Sequence, residues 1–580
     1  MSFLTTPQTY RDLITLRTQE INASFAAGES TLFVYPYRSF GPYLVILYVV
    51  LLPPSRSKFV YYVRYPIFAF CLYWCALTIA QCKSTSIKMG YGIGLLNAWG
   101  CLWISSILIW RDGRGQMRRI ERVPVGGSSQ SEGNDGNFDG NLDASEAEGD
   151  ASGVAAAALN GKADGQNARF RHAVGSTSLK GPKSDNSQDD EKSSQNTSTV
   201  PYIWQPLPSD LLTRINWSAD LLTNFRLTGW SHQISSIPSP PSYVQSSLQD
   251  GKTVFLRPSP SKSSTTGNVR YPTRTALLST KLRIFIRCYL ILDAMKVVMM
   301  WDPYFWGIAA GITSPAPSYF LPFIATSPVL VRTYRLLLTL LGTYTALQTI
   351  FSLGPLFFIG LLPLLLPSKG IYSYKSIMGA RAEIWHYPDM YGSYRTVFRK
   401  GLAGWWGGWW HQIFRFGFEA PSTWALEKLG WEKRSLKGKA LGMMIAFGLS
   451  GALHACGSYS LWPQTNPLSG PLAFFTLQPV GIGLQMGLSM LLKTVRVRDR
   501  LPGWVRGTGN FVYAHVWFYY VAPLLTDDFA RGGIWLMEPV PVSILRGLGL
   551  GLEGEGWLQW HWPLVRWHTG ERWWQSGLAI

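Results

Sequence analysis

The sequence predicts an all-α polytopic membrane protein with about eight to ten transmembrane helices, and three observations carry that reading. First, 47% of the 580 residues are hydrophobic and 14% aromatic, while only 15% are charged, a balance too apolar for an ordinary soluble chain of this length. Second, residues 111–275 are almost entirely polar or small, so the apolar residues crowd into the remainder. Third, that remainder divides into runs near the roughly 20 residues needed to cross a bilayer.

The runs fall at residues 40–53, 66–81, 90–110, 282–301, 329–353, 355–367, 439–459, 471–492 and 508–525, with a tenth candidate at 534–552. Two of them, 40–53 and 355–367, are short or interrupted by Gly and Pro, and they read as half-helices or re-entrant segments buried in protein. The run at 355–367 is expected not to cross as an independent span. Three regions follow: N-terminal transmembrane helices over 1–110, a cytoplasmic insertion over 111–275, and a catalytic transmembrane region over 276–580.

The formal charge of +19 does not point to nucleic acid. Its basic residues sit beside spans, at Arg111, Arg114, Arg118, Arg119 and Arg122, and again at Lys493, Arg496, Arg498, Arg500 and Arg506; juxtamembrane Lys and Arg mark cytoplasmic loops. The first thirty or so residues are polar and show no secretory signal. Insertion through the first span and residence in the endoplasmic reticulum are expected.

Within the insertion, residues 123–199 are rich in Ser, Gly, Asn, Asp and Ala and are expected to be disordered, since they cannot bury enough apolar surface to offset chain entropy. Residues 217–230 form an island with apolar side chains at helical spacing. Asp220 and Arg226 fall on its polar side, which predicts a surface helix. Residues 369–438 alternate aromatic and basic side chains and read as structured and interfacial.

The six cysteines show no paired spacing of a zinc site or a disulfide frame and read as packing residues. Of the eight histidines, four remain after setting aside those in the insertion and the Trp-rich tail: His386, His411, His454 and His515. None has the H-x-x-H or H-x-x-x-H companion of a metal enzyme, so no metal is expected. His454 stands alone in the apolar stretch 440–456, where an ionisable ring is costly unless it is hydrogen-bonded or lines a cavity. His411 closes the segment Trp405-Trp406-Gly407-Gly408-Trp409-Trp410-His411-Gln412, which reads as a polar pair held against an aromatic wall.

That segment resembles the Phe-Trp-Gly-Arg-Arg-Trp-His-Gln signature of the wax-synthase-like branch of the membrane-bound O-acyltransferases. Leu449-Ser450-Gly451-Ala452-Leu453-His454 resembles the Ser-Gly-x-x-His segment of the same superfamily, and residues 217–230 resemble the branch's Asp-Leu-Leu…Arg-x-x-Gly-Trp stretch. Gly408 and Trp409 stand where the signature has two arginines. The resemblance implies a helical bundle of that superfamily with its core at about 370–465, and acyl transfer from a coenzyme A thioester to a hydroxyl inside the membrane. The superfamily's histidine maps to His454, and its upstream polar residue maps to His411.

Elementary chemistry agrees with that mapping. A neutral imidazole in a dry cavity can take the proton of an alcohol as it attacks a thioester carbonyl. His454 is thus the candidate base, and His411 the candidate group facing the thioester oxygen. Gln412, Trp406, Trp410 and Ser450 are candidate substrate-binding residues, with Ser450 one helical turn before His454. Arg399, Lys400 and Arg415 are candidate partners for the coenzyme A phosphates. No bound cofactor is expected; acyl-CoA is the co-substrate, acetyl-CoA favoured.

The acceptor is either a hydroxylated lipophilic metabolite such as a terpenoid or a long-chain alcohol. The low-complexity insertion and the loose signature lean toward a fungal tailoring acetyltransferase. A transporter with a histidine proton relay is the rival from another class; it should show several intramembrane carboxylates or an internal repeat, and Asp293 is one of few here.

Overall fold

In the computed structural model of the chain, the described residues are 10–52, 57–85, 89–123, 202–249, 264, 266–307, 314–370, 372–463, 465–560 and 565–579. Apart from Val123, the stretch expected to be disordered lies outside them. The rest is helical, with only strands of two to four residues.

Thirteen helices position the site. They are α1 (Tyr10–Ala26), α2 (Phe40–Leu51), α3 (Lys58–Gln81), α4 (Gly90–Trp110), α5 (Leu211–Thr223), α6 (Arg274–Met299), α7 (Pro328–Leu365), α8 (Arg395–Gly404), α9 (Arg415–Leu429), α10 (Leu436–Tyr459), α11 (Leu468–Thr494), α12 (Gly503–Val521) and α13 (Pro523–Arg531). Five of these, α3, α4, α7, α10 and α11, are long and apolar enough to cross a membrane. Helices α6 and α12, of 26 and 19 residues, have the length but a more polar composition, and the apolar α2 is shorter.

Two expectations about the runs meet different outcomes. Residues 355–367 add no separate crossing: after Pro355 the chain passes through a π-helical turn, Leu356–Leu361, and continues α7. The tenth run does not form a span. Residues 534–552 fold into a 3-10 turn, Ile534–Leu536, and a short helix, Ile544–Gly547, because Pro539, Pro541, Gly549 and Gly551 interrupt the helical ladder.

Helix starts follow local chemistry. Ser435, Thr273 and Ser327 each place a side-chain oxygen on a backbone N–H of the first turn of α10, α6 and α7, satisfying donors that have no partner inside the helix. Helix α10 lies against α4, α9 and α11. Its contact with α4 depends on glycine, since a β-carbon at Gly94 would sit 1.9 Å from the Cys456 carbonyl oxygen.

The island at 217–230 corrects the surface-helix expectation. Helix α5 ends at Thr223, Asp220 is 5% exposed, and Trp230 Nε1 donates to Asp220 Oδ2 at 3.1 Å. Arg226 donates to the carbonyls of Pro388 and Asp389 at 2.9 and 2.7 Å. Both charges point inward because buried partners receive them, while Leu211, Leu212 and Ile215 occupy the exposed side. Trp217 and Trp230 join Trp99, Trp103 and Phe416 in one core, which ties the island to α4 and α9.

Candidate active site

Residues 369–438 are built as expected of a structured segment, and their central feature is a bend. Helix α8 kinks at Gly401, whose φ of 57° is a conformation that suits glycine. The next turn, Trp405–Trp409, is π-helical, and Trp410 N–H bonds Trp405 O at 2.8 Å. Such single-turn widenings often mark functional sites. Here the turn gathers Trp405, Trp406, Trp409 and Trp410 around one bend and delivers His411 at its end.

The glycine that replaces an arginine of the signature has a steric reason. A β-carbon at Gly408 would lie 2.6 Å from both Cβ and Oγ1 of Thr396, so a side chain there would displace α8. Trp409, in place of the second arginine, instead stacks on Tyr344 at 6.0 Å and meets Tyr394 edge-on at 4.9 Å.

His411 and His454 line one cavity of about 140 Å³. Its walls are Trp406, Trp410, Phe414, Phe418, Met443, Ala446, Phe447 and Phe475, with Ser450, Gln412, Arg415, Glu419 and Ser422 as polar members. A mostly apolar cleft with a few convergent polar groups is the usual form of a small-molecule site. Every substrate-binding and catalytic candidate of the sequence therefore borders this space. His386 and His515 do not: His386 packs on Trp385 at 3.9 Å, and His515 bonds Tyr394 Oη and Phe511 O.

The polar members differ in what they have left to offer. Gln412 Nε2 donates to the carbonyls of Trp406 and Trp410 at 2.8 and 2.7 Å, and its Oε1 accepts from Arg415 at 3.0 Å. It closes the bend, and its amide hydrogens are used internally. Arg415 also pairs with Glu419 at 2.6 Å. Arg399, which is exposed, and the half-buried Lys400 stand on α8 outside the cavity lining. His411 Nδ1, by contrast, is buried with no hydrogen-bond partner.

Burial, with a smaller contribution from His454, holds the His411 ring down to about 3 from its usual 6.5. An unfolded chain takes up that proton near 6.5, so the unfolded state binds more protons between about 6.5 and about 3, and stability rises with pH across that window. The melting temperature of the detergent-solubilised chain is expected to drop as pH is lowered through this range, and His411→Asn to flatten the drop.

Several members of the site come from helices the sequence did not connect to it. Tyr91, at the start of α4, reaches His454 Nδ1 with its hydroxyl at 2.5 Å. Phe475 of α11 stacks on the His454 ring at 4.6 Å with 12° between planes. Gln478, fully buried, accepts from Trp406 Nε1 at 3.1 Å and fixes that wall. No motif announces these residues, since each meets the site across long sequence separations. The same holds for the thiols: Cys71, Cys75 and Cys101 bring their sulfur atoms within 4.8 Å of one another between α3 and α4.

Fold and cavity together define a polytopic helical membrane protein with two imidazoles lining one aromatic-walled cavity. The comparisons bear out the resemblance: residues 387–477, which contain both histidines, match the sequence model of the membrane bound O-acyl transferase family. The chain is similar to acetyltransferase aurG of Calcarisporium arbuscula, 27% identical over 29% of this chain and 43% of the relative. It is similar also to acetyltransferase ataH of Aspergillus terreus, 30% identical over 28% of this chain and 52% of the relative, and to acetyltransferase pyr8 of Aspergillus fumigatus, 28% identical over 26% and 35%. The chain thus spans about half or less of the length of these curated relatives. No solved structure matches it.

Proposed function

We propose that the chain is a membrane O-acyltransferase that moves an acetyl group from acetyl-CoA to a hydroxyl of a lipophilic metabolite such as a terpenoid. The observation that carries this reading is the pair His411 and His454 lining one small apolar cavity, one ring tied through Nδ1 and the other with a buried, unsatisfied Nδ1. The three relatives described above are named acetyltransferases, which supports the short acyl group.

In this mechanism the acceptor hydroxyl approaches the thioester carbonyl beside His454. As the oxygen–carbon bond forms, the hydroxyl proton passes to His454 Nε2. The carbonyl oxygen gains charge within reach of His411, whose ring supplies a hydrogen bond. The carbon–sulfur bond then breaks, and the proton on His454 moves to the leaving thiolate. Ser450, Trp406 and Trp410 shape the acceptor side, and Gln412 holds the bend that carries His411. Arg399, Lys400 and Arg415 are the proposed cationic partners of the coenzyme A phosphates. Arg415 would reach them only by exchanging its contact with Glu419. Residence in the endoplasmic reticulum fits a donor arriving from the cytoplasm.

The test is to incubate membranes bearing the full chain with labelled acetyl-CoA or palmitoyl-CoA and a panel of terpenoid, sterol and long-chain alcohols, then to read products by mass. Acetyl esters of terpenoid alcohols are expected. Exclusive transfer of palmitoyl to long-chain alcohols would overturn the donor and acceptor named here, and no ester from any pair would overturn the reaction class.

A further inference from the structure

The contact between Tyr91 and His454 couples the N-terminal helices to the cavity. Tyr91 Oη lies 2.5 Å from Nδ1, which leaves Nε2 as the ring nitrogen for the cavity. The socket around the tyrosine is close-fitting. Its ring meets Phe529 of α13 edge-on at 5.3 Å. On α10, three residues after His454, a β-carbon at Gly457 would stand 2.8 Å from Tyr91 Cε2 and 2.9 Å from Cζ. Gly94, one turn along α4, draws the same two helices together at Cys456. Gly457, Gly94 and Phe529 therefore fix the tyrosine ring, and the tyrosine hydroxyl fixes the imidazole, whose face is held by Phe475.

The direction of that hydrogen bond decides what the ring can do. If the tyrosine donated to Nδ1, the neutral imidazole would carry its proton on Nε2, and Nε2 would have no lone pair for an incoming hydroxyl proton. If Nδ1–H donates to the tyrosine oxygen, the lone pair faces the cavity. When Nε2 then takes the proton, the resulting cation keeps a hydrogen-bond acceptor at Nδ1, which strengthens as charge develops.

We propose that Tyr91 is the positioning residue of His454, accepting the Nδ1 proton so that Nε2 presents its lone pair to the acceptor hydroxyl. The inference rests on the base role proposed above for His454. Tyr91 does for this ring what the orienting carboxylate does for histidine in hydrolase triads, with a neutral acceptor suited to a desolvated site.

Tyr91→Phe removes the hydroxyl and keeps the ring, and carbethoxylation of His454 by diethyl pyrocarbonate, read by peptide mass on the full-length chain at fixed neutral pH, needs no acceptor alcohol. The variant is expected to slow modification of His454 by about threefold or more, since the ring loses the partner that holds its lone pair on Nε2. Loosened packing would speed it instead. With acetyl-CoA and an accepting alcohol, kcat is expected to fall about tenfold or more while both KM values stay within about twofold. Gly457→Ala, which displaces the tyrosine ring and retains its hydroxyl, is expected to do the same and serves if Tyr91→Phe does not accumulate. Unchanged or faster modification in these variants would overturn the proposal. Active His454→Ala would instead remove the base role itself, whereas wild-type behaviour of Tyr91→Phe beside an inactive His454→Ala would remove only the part assigned to Tyr91.

Discussion

His454→Ala is expected to lower acyl transfer by about a hundredfold to ten-thousandfold, the range that a positioned general base contributes. The ring lines an existing cavity and lies against Phe475 on one side, so its removal enlarges that space without opening a core, and the amount of full-length chain in the membrane is expected to stay near wild type. Initial rates of ester formation from labelled acetyl-CoA in membranes matched for chain content give the measurement. Transfer within about threefold of wild type would show that the hydroxyl is activated elsewhere, since a base contributing so little falls well below that range. His411→Ala is the informative companion: if that ring only faces the thioester oxygen, the loss should be smaller than that of His454→Ala and should appear in kcat.

The second large effect concerns folding. Arg335 near the start of α7 donates from Nη2 to Asp302 Oδ1 at 2.7 Å and from Nε to Oδ2 at 3.0 Å, with side chains 5% and 0% exposed. The guanidinium also holds the carbonyls of Ser314 and Pro315. Removing one partner of a buried pair strands the other charge and costs about 3 to 5 kcal/mol, a large share of what keeps an ordinary domain folded. Arg335→Ala is expected to leave little monodisperse chain after detergent extraction, read by size-exclusion chromatography of a fluorescent fusion. The pair Asp302→Asn with Arg335→Met, which leaves no uncompensated charge, is expected to recover part of it. Equal yields from Arg335→Ala and wild type would mean that the guanidinium contributes nothing net.

How far the sequence reveals this molecule depends on whether a residue's partners are near it in the chain. His454 could be singled out because its apolar neighbours alone make an ionisable ring expensive, and His411 because four tryptophans and two glycines surround it. Their shared cavity follows from the fold. Tyr91 and Gln478 carry no local oddity, since a tyrosine or glutamine in an apolar helix becomes meaningful only when another helix brings it a partner. The island at 217–230 had a legible helix but an illegible burial: spacing put Asp220 and Arg226 on one side, and only Trp230 Nε1 and the carbonyls of Pro388 and Asp389 show that this side faces inward. At 534–552 the apolar composition offers a candidate span, and the backbone follows Pro539 and Pro541 instead.

The unbroken length of α7 has a consequence for the bilayer. Its 38 residues span about 57 Å at 1.5 Å per residue, against a hydrocarbon layer of about 30 Å. Even a tilt of about 40°, the upper end of what membrane helices adopt, keeps only about 26 residues within hydrocarbon, so roughly a dozen must leave it. The π-helical turn after Pro355 follows the first 28 residues of the helix. A thicker or thinner membrane would therefore change how many turns of α7 stand outside the hydrocarbon.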